Sequence, residues 1–297
     1  MRIVRQMIYM YFEYRINQVW GCKVKTLFVT LLNIRHFFSK QAVMVSKSIM
    51  KLVRSLETKK NRRKEGLFVA EGPKVVGDLM RILRPTLIIA TDKWLSVSSQ
   101  HLSMADSPRV IEVTEDELHK LSFLTTPQQV MALFPIPPVC MPDACQIADR
   151  LSLVLDGVQD PGNLGTIIRI ADWFGIRDIF CSQDTADLYN PKVVQATMGS
   201  IARVNVVYTD LVQLIDGLDA DIPVYGTLLD GADIYEQPLS CNGLIVMGNE
   251  GNGISPDIRR RVTRRLLIPA FCDGDTAESL NVAIATAITC SEFRRRR

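Results

Sequence analysis

From Leu151 onward the chain alternates short apolar runs with helix-like segments, and this alternation limits the fold more than any other feature. Strands are expected at Leu151–Leu155, Asp178–Cys181, Arg203–Tyr208, Ile222–Leu228, Gly243–Met247 and Leu266–Ile268, with helices after most of them. Runs that are apolar on both faces suit the interior of a parallel sheet, so the pattern predicts an α/β layer structure with helices covering both faces. Asn190-Pro191 and Ser255-Pro256 each set an N-cap side chain before a proline at the first helical position.

Upstream, a basic helix-like stretch (Lys47, Lys51, Arg54, Lys59, Lys60, Arg62, Arg63, Lys64) leads into the strand Leu67–Ala70. Glu71-Gly72-Pro73 then turns into an amphipathic run through Val75, Val76, Leu79, Met80 and Leu83. Strands follow at Thr86–Ala90, Arg109–Val113 and Val130–Phe134, with a capping box at Thr114-x-x-Glu117. Prolines 135, 137, 138 and 142 deny both helix and ladder and mark a linker. The expected organisation is a basic extension over 1–43, a smaller α/β domain over 44–135, a linker over 136–150 and a larger α/β domain over 151–297. Residues 1–43 read either as the product of an upstream start codon, with Met44 the natural beginning, or as a basic amphipathic arm.

Charge sorts unevenly. Residues 1–40 hold seven Lys/Arg against Glu13, leaving a slightly acidic body, so any nucleic-acid surface must be local. Seven cysteines lack a C-x-x-C pair, which fits reduced thiols of a cytoplasmic protein, and His36, His101 and His119 share no ligand spacing. No metal is expected. Nor is a membrane span, because no apolar run reaches the roughly 18 residues it requires.

Three polar clusters follow three of the expected strands. The first runs Asp156-Gly157-Val158-Gln159-Asp160-Pro161-Gly162-Asn163 and continues to Arg169, which stands among Ile167, Ile168, Ile170 and Ala171. The second is Gly248-Asn249-Glu250-Gly251-Asn252-Gly253; the third joins Ile268-Pro269 to Glu278-Ser279-Leu280-Asn281-Val282. Each has a plain structural reading: glycine-rich turn chemistry, helix caps at Ser279 and Asn281, and an arginine that snorkels or finds a carboxylate. Neither G-x-G-x-x-G nor the phosphate loop G-x-x-x-x-G-K-[ST] is present. The clusters share one predicted parallel sheet, at the strand ends where such folds place ligands, and that favours a site.

Asn163-x-Gly165-x-x-x-Arg169-x-Ala171, Gly248-Asn249-Glu250-Gly251-x-Gly253 and Ile268-Pro269 … Ser279-Leu280-Asn281-Val282 resemble the three motifs of the SpoU/TrmH RNA 2′-O-ribose methyltransferases, in the family's order. That family lies within the SPOUT superfamily. Residues 46–135, with Phe68-Val69-Ala70-Glu71-Gly72, resemble its ribosomal-protein-like RNA-binding domain. Ile170 replaces a common threonine, and Gly77-Asp78 departs slightly from the usual acidic position.

The resemblance implies a C-terminal trefoil knot. It further implies S-adenosylmethionine bound near Met247, Gly248, Asn249, Gly253, Ile268 and Leu280, largely through backbone. The reaction would be methyl transfer to a ribose 2′-hydroxyl by Arg169, Asn163, Glu250, Ser279 and Asn281. Arg169 would act as base or, given a guanidinium pKa above about 12, as a stabiliser of phosphate and alkoxide charge. Partners implied are RNA, ribosomal ahead of transfer RNA, and a second copy of the chain at the knot. Lys59, Lys60, Arg62, Arg63 and Lys64, supplemented by Arg294–Arg297, are the candidate phosphate contacts. The competing readings are a tRNA methyltransferase, a non-catalytic RNA-binding assembly factor with the same fold, and a nucleotide-dependent enzyme of doubly wound type.

Overall fold

The computed structural model describes residues 45–98, 108–271 and 279–295. The extension over 1–43, Cys22, Cys272, His36, His101, Glu278, Arg296 and Arg297 lie outside the described residues.

The basic stretch forms two helices, Lys47–Ser55 (α1) and Lys59–Glu65 (α2). Thr58 starts the second by accepting the N–H of Asn61. Next come Leu67–Glu71 (β1), Pro73–Met80 (α3), Leu87–Ala90 (β2), Asp92–Ser98 (α4), Arg109–Glu112 (β3), Glu115–Leu121 (α5) and Val130–Pro135 (β4). The sheet order is β1-β4-β2-β3, antiparallel except for β2 with β3. One face packs on Ile49, Val53 and Leu56, the other on Val75, Val76 and Leu79 of α3. Thr114 and Glu117 make the reciprocal capping bonds their spacing predicts. Glu71 is buried, accepting from Ser122 Oγ and, at 2.9 Å, from the N–H of Phe123. Burial pushes its carboxyl up, partly offset by those bonds.

Residues 136–150 are more than a loop: they contain Ala144–Ala148 (α6), opened by an Asp143/Gln146 capping box and anchored by buried Ile147. The second half then builds Leu151–Asp156 (β5), Pro161–Trp173 (α7), Asp178–Cys181 (β6), Pro191–Ala196 (α8), Asn205–Tyr208 (β7) and Leu211–Asp216 (α9). It continues through Val224–Asp233 (β8), Gly243–Gly248 (β9), Pro256–Arg259 (α10), Arg264–Leu267 (β10) and Val282–Arg295 (α11). All six expected strands are present, wholly parallel, in the order β10-β8-β9-β5-β6-β7.

Two local expectations change. Ser255 makes no side-chain cap bond; its N–H donates instead to Asp156 Oδ2 at 2.7 Å. Within β8 the register against β10 jumps from Gly226 to Ala232, so residues 227–231 leave the ladder as a bulge. Edge strand β10 carries Arg264 and Arg265, both exposed. Among the described residues no helix is long and apolar enough to cross a membrane.

The two sheets share packing. Tyr189 lies 4.7 Å from Phe68, ring to ring, and Val194 of α8 joins the core of the first sheet. Helix α7 approaches α8 so closely that a Cβ on Gly165 would stand 2.4 Å from Ala196 Cβ and 2.9 Å from the Val193 carbonyl. Gly165→Ala gains about 1 kcal/mol of helix propensity but overpacks against atoms that cannot swing away, at about 1–3 kcal/mol. A lower urea midpoint with an unchanged m-value is expected; an unchanged or raised midpoint would show that the crossing yields.

Candidate active site

Strands β5 and β9 end side by side, Asp156 opposite Gly248. The chain beyond β9 turns back at once. Asn249 and Gly253 exchange backbone bonds of 2.9 and 3.0 Å, and Asn249 Oδ1 accepts the N–H groups of Gly251 and Asn252, both at 2.9 Å. The returning backbone lies on Gly248, where a Cβ would fall 2.3 Å from the Gly253 carbonyl carbon. Glycine at 248 is therefore demanded first by the chain's own return, whatever ligand binds beside it.

Glu250, at the tip of this turn, gathers the first cluster. It accepts the N–H groups of Gln159 and Asp160, each at 3.2 Å, and Asn163 Nδ2 at 2.9 Å. Asn163 Oδ1 in turn accepts Asn281 Nδ2 at 2.9 Å, while Asn281 Oδ1 caps α11 through Ala283 and Ile284. The carboxylate thus fixes the Asn163 amide, and that amide fixes Asn281. Asp160 caps α7 through the Asn163 N–H at 2.8 Å. Partial burial alone would raise the Glu250 carboxyl, but the bonds from Asn163 and the backbone outweigh it and hold the group below its ordinary value.

Beside this web opens a cavity of about 540 Å³. Met247, Gly248, Asn249, Gly253, Ile268 and Leu280, the six residues expected at a cofactor, all line it, together with Glu250 and Ser279. Its size falls in the usual small-molecule range of about 300–1,000 Å³, and apolar side chains such as Met247, Ile268 and Leu280 mixed with polar ones such as Thr227, Asn249 and Ser279 suit a nucleoside-like ligand. Asn163 and Asn281 are outside the lining, behind Glu250.

Sequence reasoning missed one wall, made by Thr227, Leu228 and Asp230 of the β8 bulge with Arg259. Gly231 was the available signal: a Cβ there would strike Leu266 backbone at 2.5 Å, so a tight crossing had to occur. Asp230 holds the wall, pairing with Arg259 and, at 3.0 Å, with Arg265.

Arg169 sits elsewhere. It is exposed on α7, neither lines the cavity nor bonds to any described residue, and so has no carboxylate partner there. Six residues beyond Asn163 on a helix place it about 9 Å farther along the axis and about 120° around. The apolar neighbours that made it conspicuous, Ile167, Ile168 and Ala171, point into the core. Lys59, Lys60, Arg63 and Lys64 are exposed on α2, but Arg62 is not. It is buried and paired with Asp187, so its expected role as a phosphate contact is corrected: the donors a phosphate would need are already engaged. Arg294 donates to the Phe174 carbonyl and Arg295 to Glu292.

The Glu250 web has a testable pH dependence. A carboxyl whose folded pKa is depressed contributes stability that is complete above the ordinary glutamate value of about 4.3 and is lost as pH falls through the folded value. Melting of wild type and Glu250→Gln from about pH 7 down to about pH 3 should show the gap between them widest at neutrality and closing in acid. A gap independent of pH would mean that the charge does not hold the web.

Comparison with known proteins shows the family to which the chain belongs. The SpoU rRNA Methylase family model covers residues 150–291, and the MRM3-like substrate binding domain covers 47–132. The 23S rRNA (guanosine(2553)-2′-O)-methyltransferase RlmP of Bacillus subtilis is 34% identical over 247 residues, spanning 81% of this chain and 94% of the relative. RlmB of Neisseria meningitidis, a 23S rRNA (guanosine-2′-O-)-methyltransferase, is 33% identical over 50% of this chain and 59% of its own length. Among solved structures, a putative RNA methyltransferase of the TrmH family from Porphyromonas gingivalis superposes with a TM-score of 0.75 at 43% identity, covering 86% of this chain and all of the other. An AdoMet-bound rRNA methyltransferase from Sinorhizobium meliloti gives 0.73 at 30%, covering 85% and 96%. The chain, with its mainly parallel sheet and smaller N-terminal α/β half, is a member of the SpoU/TrmH family of RNA methyltransferases.

Proposed function

We propose that this chain methylates a ribose 2′-hydroxyl of ribosomal RNA with S-adenosylmethionine as donor. The observation that carries the reading is the meeting of a nucleoside-sized cavity, lined by Met247, Gly248, Ile268 and Leu280, with the Asn163–Glu250–Asn281 web. Ribosomal RNA is the substrate named for the relatives RlmP and RlmB. When bound, the cofactor supplies a methyl group on a sulfonium, an intrinsically good donor. The chain's own task is then to place the acceptor hydroxyl and to stabilise the charge that develops on it. Ser279 stands at the cavity to bond the ribose, Glu250 keeps the loop closed, and Asn163 and Asn281 order the polar side. Exposed Lys59, Lys60, Arg63 and Lys64 offer the phosphate grip.

Arg169 needs a second copy of the chain. Its exposed stripe on α7 includes Thr166 and Trp173, the latter 85% exposed, and the neighbouring helix α11 exposes Ile284 at 52%. An aromatic left so open on a helix suits a self-complementary two-fold interface. In such a dimer one protomer's Arg169 reaches its partner's cavity and, permanently protonated, binds phosphate and steadies the alkoxide. The trefoil knot implied by the resemblance belongs to the same reading, as the close crossings at Gly248 and Gly231 suggest. A reducing compartment such as the cytoplasm suits the free thiols of Cys140, Cys145, Cys181, Cys241 and Cys290.

The test is transfer of labelled methyl from S-adenosylmethionine to ribosomal RNA, with mapping of the ribose. Arg169→Ala should lose on the order of 10²-fold in rate while binding the cofactor as wild type does. Absence of transfer by wild type, despite binding of RNA and cofactor, would sink the enzymatic reading. Trp173→Glu should sediment as a monomer with the same loss of activity. A fully active monomer would return Arg169 to its own chain's site.

A further inference from the structure

Hydrogen bonds at both ends of the backbone segment 182–187 join α2 to the cofactor cavity, and the chemistry above makes no use of them. Arg62 begins the connection. Its neighbours on the helix reach solvent, whereas Arg62 is 2% exposed and turns inward to Asp187, 125 residues away in sequence. Nε donates to Asp187 Oδ2 at 3.2 Å and Nη2 donates to the same oxygen. Nη1 donates to the carbonyls of Leu56 and Glu57 at 2.8 and 2.7 Å. Asp187 belongs to residues 182–189, which run from β6 toward α8.

That segment is held throughout. The Tyr208 hydroxyl donates to the Ala186 carbonyl and accepts the Leu188 N–H at 2.8 Å. Thr185 Oγ1 donates to the Leu155 carbonyl at 3.1 Å, and the Ala186 N–H to that of Val158 at 2.9 Å. At its start, Ser182 Oγ accepts the Gly157 N–H at 2.8 Å, and the Gly157 carbonyl accepts Asn249 Nδ2 at 2.6 Å. Asn249 is the residue that closes the 249–253 turn against the cavity. Gly157 has φ +76, and a Cβ there would meet Asp184 at 3.2 Å and Asn249 at 3.6 Å, so this joint admits little but glycine.

Stability does not account for a buried ion pair, because an apolar pair of similar volume often serves as well. A guanidinium bonded along several edges does something an apolar contact cannot: it admits one orientation. We propose that Arg62 is a positioning residue, fixing the cationic face of α2, where RNA phosphates dock, in register with the 249–253 turn that walls the cofactor cavity. The proposal rests on the RNA-methylation reading for its purpose, though not for its physical test.

The test compares Arg62→Met in the full chain with two controls. Arg63→Gln removes an exposed cation of α2. Arg203→Gln cuts the separate bridge between the halves, in which Arg203 meets Asp78 at 3.2 Å and Asp172 at 2.7 Å. Hydrogen exchange of the free protein is read at residues 182–189 and 249–253, where the N–H groups of Asn249, Gly251, Asn252 and Gly253 are all bonded. Arg62→Met should speed exchange in both segments by about tenfold or more, and neither control should do so in 249–253.

RNA binding supplies the second readout. The slope of log affinity against log salt should be unchanged in Arg62→Met and smaller by about 0.7 in Arg63→Gln. Single-turnover methylation at saturating RNA and cofactor should fall about tenfold in Arg62→Met, with Arg62→Lys between it and wild type. Asp187→Asn, which keeps an acceptor, carries the same expectations and serves if Arg62→Met does not fold. A salt slope that drops with Arg62 would make it a phosphate ligand, and faster exchange confined to 182–189 would make it a local structural pair; either overturns the proposal. Wild type that transfers no methyl group would remove the enzymatic reading, while exchange and salt slope still decide the positioning role.

Discussion

The carboxylate of Glu250 accepts from two backbone N–H groups at the start of α7 and from Asn163, and much of the molecule is arranged around that convergence. It draws the exit of β9 onto the exit of β5, and through Asn163 it reaches the start of α11. Three segments that no local interaction would bring together are thereby joined, and the exit of β9 and the approach to α11 border one cavity. The bonds are charge-assisted, which strengthens each of them, and the low folded pKa of Glu250 is the counterpart of that strength. Parallel register brings the strand ends level, and the side-chain web turns level ends into a site.

The sheet itself was legible because a parallel strand buried on both faces can be little other than a continuous apolar run, and each of the six runs is a strand. For the cavity the strand pattern offered only polar clusters at the ends of such runs; Met247, Ile268 and Leu280 themselves came from the resemblance to the family's motifs. Where the reading failed, the deciding contact was remote. Nothing near Arg62 in sequence distinguishes it from Arg63; its burial is set by Asp187, far along the chain. The bulge of β8 is a register shift between two strands, and periodicity within one strand does not record it. Arg169 stood out as an odd charge among apolar neighbours, and the surface it faces holds no partner among the described residues.

Between the halves, polar and apolar contacts divide the work. Tyr189 against Phe68 and Val194 in the first core exclude water, and the Arg62 and Arg203 bridges flank them. Burial pushes the Tyr189 hydroxyl up to about 12, as the dryness of that seam requires. A proline-rich connection would otherwise allow the halves to swing, but here it includes α6, itself pinned by Ile147.

Edge strand β10 has a consequence for how copies of this chain can meet. An open strand edge invites another strand to add to it, and the exposed guanidinium of Arg264, next to Arg265 on its Asp230 bridge, presents like charge to an identical edge approaching it. Growth of the sheet from chain to chain is thereby discouraged at that border.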